Sequence, residues 1–144
     1  MDKTQPTELH TPSELNAFLR AVFPHAESLF SVESVTQSGL ILRCTPSEQH
    51  LRPGNTLSGP LLMTMADTAM YLAIFSRLGP VAMAVTTNLT MSFLRKAPMS
   101  ELRGHTRLLK LCSRLATGDV TIFSEGLDEP VAHASVTYAI PRQD

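Results

Sequence analysis

Tryptophan is absent, and aromatic residues make up 6% of the 144 positions. A base-stacking surface for nucleic acid has little to be built from. Net charge is -1, so no bulk electrostatic argument points to nucleic acid either. There are two cysteines, Cys44 and Cys112, too few and too far apart for a zinc site or a disulfide framework. They read as buried free thiols of a reducing cytoplasm. His10, His25, His50, His105 and His133 are scattered without metal-ligand spacing, and no metal or cofactor is expected. The first ten residues are polar and acidic and lack the basic-then-apolar pattern of a secretion signal. They are expected to form a flexible tail ahead of one domain over 11–140, since the length suits a single core.

Hydrophobic residues make up 43% and charged residues 17%, the composition of a globular chain. One segment, 61–78, is apolar enough to resemble a membrane span. It also holds Asp67 and Arg77, and a central carboxylate in a lone span costs about 3 kcal/mol. A buried helix of a globular domain is the better reading. Pro60 suits its first turn, and Gly79-Pro80 closes it. Upstream, Thr11-Pro12-Ser13-Glu14 spells a capping box, and Leu15, Phe18, Leu19 and Val22 form one apolar stripe, so a short amphipathic helix is expected. Strands are expected over 29–36 and 40–45, joined at Gln37-Ser38-Gly39. Residues 46–57 read as loop. Residues 85–93 alternate apolar and polar with period two. Further strands are expected over 101–115, 120–125 and 131–140, with breaks at 117–119 and 126–130.

The fold class is therefore α+β: an antiparallel sheet covering one long apolar helix, the late strands in a meander. Apolar residues on the sheet's outer face argue against a monomer.

Asp67 is the charge that needs a reason. No Lys, Arg or His lies within four residues of it. A carboxylate on an apolar helix must find a partner, reach water or shift its protonation. Such groups concentrate at functional sites, though hydrogen bonds to Thr64 or Thr68 would account for it structurally. The helix start, Thr56-Leu57-Ser58-Gly59-Pro60, is the second feature. Free N–H groups there can polarise a carbonyl oxygen. Pro60 has none, so Gly59 is the useful donor, and it lets a ligand approach closely. Ser58 reads as the helix cap; the surrounding pattern is not a nucleophile elbow. Gly59 and Asp67 are eight residues apart, about 12 Å along a helix. Both can act on one carbonyl only if they come from two subunits.

The combined order of Arg52-Pro53-Gly54-Asn55-Thr56-Leu57-Ser58-Gly59-Pro60-Leu61-Leu62-Met63-Thr64-Met65-Ala66-Asp67, Val85-Thr86-Thr87-Asn88-Leu89, Phe93-Leu94-Arg95-Lys96-Ala97-Pro98 and the closing strand 131–138 resembles the hotdog-fold thioesterases, specifically the PaaI-like branch of phenylacetate degradation. The resemblance covers about residues 25–140. It implies an acyl-CoA thioesterase working as a homodimer or a dimer-of-dimers tetramer. It implies that Gly59 N–H polarises the thioester carbonyl and that Asp67 of the partner subunit activates water or attacks directly. It also implies that Thr86 helps position the water. Ser58-Gly59-Pro60 stands where the family has His-Gly-Gly, and Arg52 stands near a customary Asn. Arg52, Asn55 and Ser58 are thus candidates for substrate contact. Six of the twelve Lys and Arg fall between Arg95 and Arg114. A solvated strand face is one reading; the other gives Arg95, Lys96 or Arg103 the phosphates of CoA. The competing functions are a non-catalytic acyl-thioester binding protein of the same fold, and a dehydratase drawing its histidine from His50 or His105.

Overall fold

The computed structural model describes residues 10–26, 28–80 and 83–142. The order of elements is α1 (Pro12–Val22), β1 (Phe30–Thr36), β2 (Gly39–Cys44), β3 (Leu51–Arg52), β4 (Thr56–Leu57), α2 (Gly59–Leu78), β5 (Val85–Phe93), β6 (Leu102–Leu111), β7 (Leu115–Ser124) and β8 (Ala132–Ala139). Six strands form an antiparallel sheet in the order β1-β2-β6-β7-β8-β5, and β3–β4 is a separate two-stranded ribbon. The sheet lies around α2, which is the hotdog architecture.

Thr11 caps α1: its hydroxyl accepts from Glu14 N at 3.2 Å, and Glu14 Oε1 accepts from Thr11 N at 3.0 Å. Leu15 and Leu19 bury the helix face. Asn16 grips β1, accepting from Val32 N at 2.7 Å and donating to Val32 O at 3.2 Å, where the β1–β2 register shifts. The expected tail lies outside the described residues except for His10, whose N–H donates to Ser76 O at 3.2 Å.

α2 is long and apolar enough to cross a membrane, but 61% of its most apolar window is buried within the protein. Met65 and Met70 are fully buried. They lie on the sheet where it has glycine. A Cβ on Gly104 would sit 3.1 Å from Met65 Cε, and one on Gly118 would sit 2.5 Å from Met70 Cε. The adaptable thioethers fill the space that those side chains would take.

Several expectations need correction. Residues 46–57 are not loop throughout but hold β3 and β4, and Cys112 is exposed rather than buried. The break at 117–119 lies inside β7; Gly118 is there for close approach, not for a turn. The strand read over 101–115 ends at Leu111, and the real turn is Cys112-Ser113-Arg114. The late strands are not a simple meander: β5 pairs with β8 at the sheet edge, and β6 pairs with β2. The outer sheet face also differs from expectation. It carries Thr121 and the charged groups of Glu33, Arg43, Arg103, Arg107, Asp119 and His133, which are joined by ion pairs, among them Arg103–Glu33 at 3.0 Å and Arg107–Asp119 at 2.9 Å. Exposed apolar residues occur at the β5 edge and beside it, Val85 (59% exposed), Phe93 (54%), Leu94 (48%) and Met63 (44%), and also at Leu109 on β6 and Leu115 on β7.

Candidate active site

Asp67 projects from α2 toward the β5–β8 end of the sheet and is half-buried. Its Oδ1 accepts two hydrogen bonds, from Thr86 Oγ1 at 2.6 Å and from the Tyr138 hydroxyl at 2.6 Å. The Tyr138 hydroxyl also lies 3.1 Å from the Asp67 carbonyl oxygen. Among the described residues nothing donates to Oδ2.

Strand register explains the convergence. Thr86 on β5 and Tyr138 on β8 are directly opposed, so their side chains stand on one face. Period two alone would group Thr86 with Asn88, Thr90 and Ser92. A bulge between Thr86 and Asn88 adds one residue and reverses the alternation. Thr86 is thereby turned to the helix side, the side of Leu89 and Met91.

Tyr138 is 3% exposed. Burial pushes its phenol well above the ordinary tyrosine range, and the bond to Asp67 adds to this. The hydroxyl therefore stays protonated and is a permanent donor. Burial also raises Tyr71, whose ring meets that of Tyr138 edge-on at 6.0 Å. Asp67, Thr64, Thr68 and Tyr138 lie along a mostly apolar cavity of about 240 Å³, completed by Leu19, Phe23, Ala26, Phe30, Tyr71 and Leu72.

The helix start forms a second place. Ser58 caps α2, its hydroxyl accepting from Leu61 N at 3.4 Å. Its own N–H donates to His50 O at 2.9 Å, and Leu57 N to Ala97 O at 2.8 Å, which anchors the approach to the helix. Gly59 is the first helical residue, and its N–H has no acceptor among the described residues. A Cβ there would lie 3.4 Å from the Phe93 ring. Gly59 opens onto a groove of about 510 Å³, which Arg52, Thr56, Phe93, Arg95 and Lys96 also line. Arg95 is engaged with Glu129 and with Pro130 O. Arg52 and Lys96 have no carboxylate within 4.0 Å among the described residues. Asn55 adopts a left-handed backbone, φ 58°, at the tip of the β3–β4 turn.

The sequence candidates therefore fall into separate groups. Asp67 and Thr86 meet. Gly59, Arg52, Arg95 and Lys96 meet around the groove, with Ser58 and Asn55 beside them. The groove and the Asp67 cavity share no lining residue. Arg103 is on the outer sheet face, bound to Glu33 at 3.0 Å. His105 packs on Phe123 there, and His50 accepts from Ser47 N; neither lines the Asp67 cavity. The sequence does not mark Tyr138 as a site residue. Its partner is 71 positions away, and nothing local distinguishes a tyrosine in an apolar strand.

A six-stranded sheet wrapped on a helix, with a carboxylate midway along that helix and an unbonded N–H at its start, defines a hotdog-type thioesterase fold. The thioesterase superfamily model matches residues 54–131. A Pseudomonas aeruginosa protein named as a putative esterase is 35% identical over 107 residues, spanning 73% of this chain and 78% of that protein. Among solved structures, one described as a putative thioesterase from Silicibacter sp. TM1040 is 42% identical and covers 94% of this chain and 95% of its own, with a TM-score of 0.87. A mutant of the phenylacetic acid degradation protein PaaI from Thermus thermophilus is 25% identical and covers 82% and 99%, with a TM-score of 0.71. This chain belongs to the thioesterase superfamily, a family of hydrolases.

Proposed function

We propose that the protein hydrolyses an acyl-CoA or aryl-acyl-CoA to the free acid and CoA, at a site built from two subunits. The observation that carries this reading is Asp67. Its carboxylate is held on one oxygen by two hydrogen bonds and has no donor to the other among the described residues, at the rim of an apolar cavity. That second oxygen takes a proton from water as the water oxygen bonds to the thioester carbon. The negative charge arriving on the carbonyl oxygen faces Gly59 N–H and the positive end of α2. The C–S bond then breaks, and CoA leaves as a thiolate that takes up a proton. In the direct-attack variant Asp67 displaces the CoA thiolate to form a mixed anhydride, and water then opens it to the free acid and the Asp67 carboxylate.

The acyl or aryl group enters the Asp67 cavity, whose aromatic walls suit either. The CoA phosphates lie toward Arg52 and Lys96, whose charges have no carboxylate partner among the described residues, with Arg95 and Asn55 flanking. The separation of the two lining sets supports assembly of one site from Gly59 of one subunit and Asp67 of its partner. The exposed apolar edge at β5 is the natural surface for that second copy.

The test is thiol release from short, medium, long and aryl acyl-CoAs by wild type and Asp67→Asn. Release by wild type that falls at least about 100-fold in the variant is expected. Thermal stabilisation by acyl-CoA with no thiol release from any substrate would instead mean a binding protein of the same fold.

A further inference from the structure

We infer that Tyr138 is a positioning residue of the reaction, fixing the plane of the Asp67 carboxylate so that Oδ2 alone faces the substrate. This rests on the function proposed above and deepens it.

A carboxylate free to turn about its last torsion presents either oxygen in any plane. Here two donors from neighbouring strands reach the same oxygen, each at 2.6 Å. Both accepting positions of Oδ1 are filled, which leaves Oδ2 for chemistry. The donors cannot wander. Thr86 is β-branched and restricted at its first torsion, and the bulge beside it sets its direction. The Tyr138 ring is packed in the core, with Tyr71 against its edge. The hydroxyl is also tied to the Asp67 carbonyl, so it registers the helix backbone and the side chain together. A hydroxyl placed only to satisfy a buried tyrosine needs one acceptor. This one reaches two atoms of a single residue and shares its main acceptor with Thr86.

The test compares Tyr138→Phe, Asp67→Asn and the double variant in acyl-CoA hydrolysis, with melting temperatures measured alongside. Tyr138→Phe keeps the ring and removes the donor. It should lower kcat roughly 10- to 100-fold while KM stays within about twofold, the pattern of a misplaced catalytic group. In the Asp67→Asn background it should lower the residual rate no further. A kcat within about twofold of wild type, at comparable melting temperature, overturns the inference. So does an equal loss in both backgrounds, which would mean that Tyr138 acts independently of Asp67. A wild type inert toward every substrate overturns the proposed reaction and this role with it. That outcome is distinct from an active wild type indifferent to Tyr138→Phe.

Discussion

Asp119 and Asp67 are carboxylates on facing elements with opposite surroundings. Burial alone would raise the Asp119 carboxyl, but hydrogen bonds from Arg107 and His133 outweigh that and hold it below its ordinary value. The folded protein therefore binds this proton less readily than the unfolded chain. The stabilisation is fully present above the ordinary carboxylate value of about 4 and is lost as pH falls through the lower folded value. Asp119→Asn should lower the melting temperature by about 3 °C at pH 7, for a pair contributing about 1 kcal/mol. The gap between the proteins should narrow as pH falls below about 4; scanning calorimetry across that range checks it, and a gap that does not change with pH would count against the pairing. Asp67, by contrast, was legible in sequence because a carboxylate on an apolar helix has no local explanation. Its partners were not, because Thr86 and Tyr138 reach it only through strand pairing.

Two glycines meet a neighbouring strand closely, and one of them is easily misread. Gly39 opens β2 directly after Gln37-Ser38, at the expected turn, whereas Gly118 looks like part of a turn and lies inside β7. A Cβ on Gly39 would fall 1.8 Å from Thr106 O, and one on Gly118 would fall 2.3 Å from Arg107 O. The requirement is space against a neighbouring strand, and in Gly118 against Met70 as well. Gly118→Ala should therefore cost about 3 kcal/mol, the upper end of overpacking, because one obstacle is backbone that cannot swing aside. The urea midpoint should fall with an unchanged slope. A neutral Gly118→Ala would show that β6 and β7 part more easily than the geometry allows. The elements that were legible, α1, α2 and β5, have their signals in or beside their own spans: a capping box, a run of apolar residues, an alternation over most of the strand.

At the scale of the molecule, the two-subunit site makes its own prediction. Gly59→Pro deletes the N–H while suiting the first turn of a helix, and Ser58 already has the extended backbone, φ -76° and ψ 152°, that a following proline requires. Gly59→Pro and Asp67→Asn should each lose nearly all activity alone, by about 100-fold or more. Co-assembled, random pairing puts one intact site in each mixed dimer and should restore about a quarter of wild-type activity. No recovery from verified mixed dimers would place both residues on one subunit's site. Sedimentation should find at least a dimer, with the apolar β5 edge covered rather than the polar outer face.

The sequence by itself determined the class of fold, the long buried helix, the capped start of α1, and the two conspicuous features of α2, the lone carboxylate and the glycine at its first turn. All of these are written within a few turns of chain, where periodicity, caps and missing partners can be read directly. Only the tertiary structure decided the strand order, the ion-paired outer face and which residues line the Asp67 cavity and the Gly59 groove. Those depend on pairings between distant segments. The bulge at Thr86 shows why such pairings escape a linear reading: one extra residue in β5 reverses which side chains face the helix and brings Thr86 and Tyr138 to the same oxygen.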